Sequence, residues 1–202
     1  MPDYDRLVIR IAIFLFDGAE ELDWAGPWEV LAAWSKLWPA DGVEVFTVAA
    51  ADAPVVCAKG LRVLADHTWA TAPEADVLVV PGGVGTRPLT RDDETVAWVQ
   101  SHAARGALVT SVCTGSLILA AAGLLRDRPA TTHWSAFDEL LALDPTIDAR
   151  RDDRFVDAGE IVTAAGVSAG IDMALHLVAR LHSVERAREV RRYIQYDPAP
   201  PV

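Results

Sequence analysis

The sequence predicts an α/β fold in which helices cover both faces of a mostly parallel sheet. Three observations predict it. Apolar runs rich in β-branched residues alternate with stretches of helical periodicity. Most of those runs are apolar throughout rather than alternating, as strands buried on both faces require. Two of them run directly into short turns, PGG at 81–83 and CTGS at 113–116.

The elements follow in order. Residues 7–16 form an apolar first strand, read as a strand rather than a signal peptide because no basic leader or small-residue cleavage site accompanies it. Helical spacing runs from about 20 to 38, with Pro27 expected near the start of its regular part. Residues 43–50 read as a second strand, and 55–63 as two short extended pieces turning at Lys59 and Gly60. A strand over 75–80 closes in PGG. An amphipathic helix over 92–104 takes Asp92 or Asp93 as its cap. A strand over 107–112 leads into Cys113 and a helix ending near Gly123. Another helix is expected over 134–143, a hairpin over 155–163 turning at Ala158 and Gly159, and helices over 168–181 and 183–193. A proline-rich end after Tyr196 is expected to lie extended on the surface. With no repeat and no long linker, residues 1–202 read as a single domain.

Composition narrows the function. The formal charge is −11, from 18 basic and 29 acidic residues, which repels a phosphate backbone and argues against nucleic acid as a partner. The densest basic stretch, Arg186, Arg188, Arg191 and Arg192, reads as a solvated helix face beside Glu185 and Glu189. No apolar run is long enough to span a bilayer, so no membrane association and a cytoplasmic location are expected. Two cysteines, Cys57 and Cys113, make no disulfide framework, and the five histidines show no paired metal-ligand spacing.

The chemistry gathers at Cys113. A strand ends, one cysteine sits at the turn, and a helix begins, which is the layout of a nucleophile elbow. Gly115 permits the tight turn, and the following helix start is expected to lower the cysteine's pKa. The loop after the first strand, GAEELDWAGP at 18–27, supplies acids that a parallel sheet can bring beside the sulfur. The glycines of PGG let backbone amides approach a ligand.

Together these segments, GAEELD at 18–23, PGG at 81–83, SVCTGS at 111–116 and AGVSAGIDMAL at 165–175, resemble the ThiJ/PfpI superfamily. The resemblance implies a flavodoxin-like three-layer sandwich shared with class I glutamine amidotransferases. Within the superfamily, LDWAGPWEVL, VTSVCTGSLILAAAGLL, ATTHWSAFDELL and QYDPAPP are most similar to bacterial isocyanide hydratases. That resemblance implies Cys113 as nucleophile, Asp23 as the catalytic carboxyl and Thr114 as its hydroxyl neighbour. It implies a homodimer and no cofactor or metal. Gly83, Val84, Trp24 and Val167 are expected beside the substrate, with Trp28 a further lining candidate. The histidine that follows the cysteine in peptidase-like relatives is replaced here by Thr114, and His133 is assigned at most a supporting role. The ATTHW segment and the elbow are also similar to the sensor halves of AraC-like transcription regulators, whose DNA-binding region would have no room before Val202.

Overall fold

Ile9–Phe14 forms strand β1, whose last four residues are buried and face other apolar side chains on both sides. The structure, a computed structural model, describes residues 8–198. The start of the expected first strand at Leu7 and the last four residues of the proline-rich end lie outside that range. Helix α1 spans Glu21–Leu37, a 3-10 turn spans Pro39–Asp41, and β2 spans Val43–Ala49. Three short strands follow: β3 Val55–Val56, β4 Arg62–Val63 and β5 His67–Thr68. Next come β6 Val77–Val80, α2 Thr86–Leu89, α3 Asp93–Ala104 and β7 Leu108–Val112. Helix α4 Gly115–Ala121, β8 Pro129–Ala130, α5 Phe137–Leu143 and β9 Asp148–Ala149 lead to the hairpin β10 Phe155–Asp157 and β11 Ile161–Ala164. Helices α6 Ala169–Leu181 and α7 Val184–Tyr193 end the described chain.

Seven strands pair in the order β10-β11-β7-β6-β1-β2-β5. Every pairing is parallel except that of the edge strand β10. Helices α1, α6 and α7 pack together on one face, and α2 to α5 on the other, so the predicted three-layer α/β arrangement is borne out. The chain leaves β1 outward through β2 to β5, then returns to β6 on the other side of β1. That reversal puts a crevice at the carboxyl ends of β1 and β6, where open α/β sheets bind ligands. Among the described residues, no helix is long and apolar enough to cross a membrane.

Several expectations are corrected. Helix α1 begins at Glu21, so Pro27 lies in its interior rather than near its start. Lacking an N–H, Pro27 cannot donate to the carbonyl of Asp23, one turn earlier. Helix α5 starts at Phe137, because residues 133–136 close a turn through Ala136 N–H to His133 C=O at 2.8 Å and leave Trp134 on the surface. The edge strand β5 was not expected. It is latched by Asp66, whose Oδ2 accepts from the Thr47 amide at 2.8 Å and the Thr47 hydroxyl at 2.7 Å.

Arg186 is not part of a solvated face. Its guanidinium lies over the Trp38 ring and pairs with Asp41 through Nε–Oδ2 at 2.6 Å and Nη2–Oδ1 at 3.2 Å. The Trp34 indole donates to the same Asp41 carboxylate at 2.8 Å. This ties α7 to the end of α1 through a nearly buried ion pair. Arg186→Met is expected to cost about 2–3 kcal/mol, because it leaves a desolvated carboxylate short of its main partner. Urea denaturation should show the loss, and Asp41→Asn in the same chain should recover part of it.

Candidate active site

The loops after β1, β6, β7 and β11 converge at the carboxyl edge of the sheet and bring four sequence motifs together. Cys113 follows β7 in a left-handed backbone conformation, φ 56°. Such a conformation costs a non-glycine residue on the order of 1–3 kcal/mol, so its surroundings must impose it. They do: the Cys113 amide donates to the carbonyls of Ala164 and Ala165, each at 3.0 Å. The Cys113 carbonyl accepts from the Thr132 hydroxyl at 3.0 Å and the Ser116 hydroxyl at 3.1 Å. Gly115 allows α4 to approach the sheet; a Cβ there would lie 2.2 Å from the Val80 carbonyl oxygen.

Asp23 is fully buried in the first turns of α1. Its Oδ2 accepts the Gly82 amide at 2.9 Å, while Oδ1 makes no hydrogen bond of regular geometry. Gly82 itself admits no side chain, since a Cβ would lie 2.5 Å from the Thr114 nitrogen and 2.7 Å from Asp23 Oδ2. The three acids of the loop are thereby sorted. Glu20 and Glu21 pair with Lys59 from the β3–β4 turn, near the surface, and Asp23 alone faces inward to the cysteine.

Burial pushes the Asp23 carboxyl up to about 7, against the opposing pull of the Gly82 amide and the Cys113 thiol. Burial, and then the neighbouring Asp23 charge, push the Cys113 thiol up to about 12. The amides of Thr114 and Val167 face the sulfur and favour its thiolate, but they do not outweigh those two effects. The expected lowering of the cysteine's pKa is therefore corrected. The sulfur is only 6% exposed and sits beside a carboxylate, so a helix start of seven residues cannot ionise it alone. The two groups form a coupled pair, and their titration belongs to the pair rather than to either residue.

The remaining expected residues are distributed unevenly. Thr114 is buried, and its hydroxyl accepts from the Gly83 amide at 2.9 Å and lies 3.2 Å from both the Gly83 carbonyl and the Thr86 hydroxyl. The Gly83 amide is thus occupied and is not a free donor for a developing charge, contrary to expectation. Val84 lies 67% exposed at the mouth between Gly83 and Gly85. Val167 follows β11 with φ 45°, a second strained position and an unusual one for a β-branched residue. Trp24 is buried with its indole directed at the sulfur of Cys57, which sets it apart from the expected substrate-facing role. Trp28 is partly buried against the core. His133 packs its ring on Gly166 and bonds Ser135 through Nδ1 at 2.8 Å, next to the loop that carries Val167. Thr86, Ser116 and Thr132 were not singled out from sequence. Lone hydroxyl residues give no local signal, although Thr132 lies within ATTHW.

Fold and site together define an α/β protein with a cysteine on a strained turn at the end of a parallel strand, facing one buried acid. The chain belongs to the DJ-1/PfpI family, whose profile matches residues 9–180. It is 41% identical over 195 residues to the isonitrile hydratase of Pseudomonas putida, covering 96% of this chain and 82% of that protein. The crystal structure of a ThiJ/PfpI family protein from Pseudomonas syringae superimposes with a TM-score of 0.86 at 34% identity, over 100% of this chain and 84% of that one. The HTH-type transcriptional regulator GbdR of Pseudomonas aeruginosa is 29% identical over 198 residues, which are 98% of this chain but 53% of the regulator. The resemblance read from the motifs is borne out.

The raised Asp23 pKa has a stability consequence. The unfolded chain ionises this group near 3.8 and the folded protein near 7, so folding takes up a proton between those values. The wild-type protein should lose on the order of 4 kcal/mol from this group as pH rises from about 4 to about 7, and no more above that. Asp23→Asn should abolish this dependence. Thermal melts are expected to show the variant several degrees more stable than wild type at pH 8, with the gap closing towards pH 4.

Proposed function

We propose that the chain hydrates isocyanides to N-substituted formamides, with Cys113 as the nucleophile. The observation that carries this reading is the Cys113–Asp23 pair, a buried thiol facing a buried carboxyl that is half-protonated near neutrality. Such a pair can deliver a nucleophile and a proton to one carbon without a free thiolate in the resting protein. The 41% identity to an isonitrile hydratase supports the choice of substrate class.

The steps balance as follows. Asp23 takes the thiol proton as the sulfur attacks the terminal carbon, and a C–S bond forms. Asp23 returns the proton to that carbon, giving a thioimidate, Cys113–S–CH=N–R. Asp23, again a carboxylate, removes a proton from water as its oxygen adds to the same carbon. That proton passes to the nitrogen. The tetrahedral intermediate then expels the sulfur, the hydroxyl proton returns to the pair through Asp23, and the formamide R–NH–CHO leaves. The amides of Thr114 and Val167 steady the sulfur when it carries charge. Gly83, Val84 and Val167 are assigned to the approach of the organic group, and Thr114 to ordering the water. The reading carries with it a homodimer, one domain over the whole chain, a cytoplasmic location and no cofactor.

A second reading is a ligand-sensing domain without turnover, favoured by the match of nearly the whole chain to part of a transcriptional regulator. Another small electrophile, such as an aldehyde or ester, is a third use of the same cysteine. Purified protein mixed with aryl and alkyl isocyanides separates these readings. Formamide should appear with wild type and vanish with Cys113→Ala; binding without product across several isocyanides would favour the sensor. Asp23→Asn should lose at least about 100-fold in kcat/KM, and Glu20→Gln less than about threefold, because Lys59 already engages Glu20 near the surface. In wild type, kcat/KM should rise with pH to a plateau with its midpoint near 7, as Asp23 becomes able to accept the thiol proton. Equal losses for Asp23→Asn and Glu20→Gln would overturn the assignment of Asp23.

A further inference from the structure

We propose that Thr86, with Arg87 and Glu139 behind it, is a positioning residue that fixes the Gly82–Gly83 segment against Asp23 and Thr114. The proposal rests on reading Asp23 as the proton partner of Cys113. Two consecutive glycines make up that segment, and Gly83 has φ 122°, a conformation that side chains do not stabilise. The segment spans successive peptide units, packed closely against Thr114, Gly18 and Glu20, and its polar atoms are hydrogen-bonded. The Gly82 amide donates to Asp23 Oδ2 at 2.9 Å, and the Gly82 carbonyl accepts from the Glu20 amide at 2.8 Å. The Gly83 amide donates to Thr114 Oγ1 at 2.9 Å.

The Gly83 carbonyl is the point of control. It has three side-chain donors: the Thr86 hydroxyl at 2.8 Å, the Thr114 hydroxyl at 3.2 Å and Arg87 Nη1 at 3.3 Å. Thr86 is wholly buried and makes the shortest of these bonds. Arg87 is clamped by Glu139 of α5 through Nε–Oε2 at 3.0 Å and Nη2–Oε1 at 2.8 Å, which ties the carbonyl's third donor to α5. With Thr86 satisfying that carbonyl, the Thr114 proton is not needed there. Without the Thr86 hydroxyl, the Gly83 carbonyl keeps the Thr86 amide at 3.2 Å but loses its shortest bond. The Thr114 hydroxyl loses a neighbour at 3.2 Å and turns to the carbonyl, and the glycine segment, through its adjoining peptide units, holds the Gly82 amide less firmly on Asp23. A carboxylate that loses a donor keeps its proton to higher pH.

The test needs no isocyanide. The rate of Cys113 alkylation by iodoacetamide is measured against pH and read at the Cys113 peptide by mass spectrometry, which separates it from Cys57. Wild type should show a rise to a plateau with its midpoint near 7, reporting the ionisation of Asp23. Thr86→Val should move that midpoint up by about half a unit, seen as about threefold slower alkylation on the acid side, and Thr86→Ser should restore it. Arg87→Met, at a half-exposed position, should shift it the same way by less. Midpoints for Thr86→Val and Arg87→Met that coincide with wild type would overturn the proposal, as would a wild-type profile with no inflection. If Thr86→Val does not fold, Arg87→Met decides. Absence of isocyanide hydration with the shift intact would remove the proposed function and leave this inference standing.

Discussion

A carboxyl group shielded from bulk solvent, held by one backbone amide and pressed against one sulfur, is the constraint around which this protein is built. Burial of Asp23 requires the side-chain-free Gly82, because any Cβ would occupy the space of the carboxylate. It also requires the turn after β1 to be stitched across the molecule. The Glu20 amide reaches the Gly82 carbonyl at 2.8 Å, the Gly85 amide reaches the Gly18 carbonyl at 3.2 Å, and Ala19 bridges Gly83. The parallel sheet brings these loops side by side, and the topological reversal at β1 and β6 opens the crevice they share.

Strain and packing are distributed around that constraint in a consistent way. The two strained non-glycine residues of the site, Cys113 and Val167, both present an atom to the same place: one the sulfur, the other an amide facing it. Neither conformation is intrinsically favourable. Each persists because rigid neighbours over-determine it, namely Thr132 and Ser116 on the Cys113 carbonyl and the paired ends of β7 and β11. Two of the four non-glycine residues with positive φ among the described residues thus lie at this site, the others being Asp127 and Gln195.

Much of this was legible in the residues. The strands are continuous apolar runs, the expected cap at Asp92 accepts the backbone amide of Thr95, and Cys113 announces itself at a strand end. What escaped has a physical reason in each case. The β5 edge depends on one carboxylate, Asp66, reaching Thr47, not on a hydrophobic pattern. The burial of Arg186 depends on Trp34, Trp38 and Asp41, all more than 140 positions earlier. The direction of the Cys113 shift depends on how deep the sulfur lies and on which acid meets it, and neither is a local property. The place of Thr86 beside the Gly83 carbonyl and the Thr114 hydroxyl is a tertiary contact that no motif encodes.

The depth of that sulfur carries a consequence for the life of the protein in a cell. A thiol pushed up to about 12 by burial and a neighbouring carboxylate keeps its proton at neutral pH. Peroxides and stray alkylating metabolites attack thiolates, so they react with the resting protein more slowly than with an exposed, ionised cysteine. Chemical reticence is therefore the thiol's resting condition, and on the proposed reading it ends only when a small electrophile enters the crevice and takes a proton from the pair.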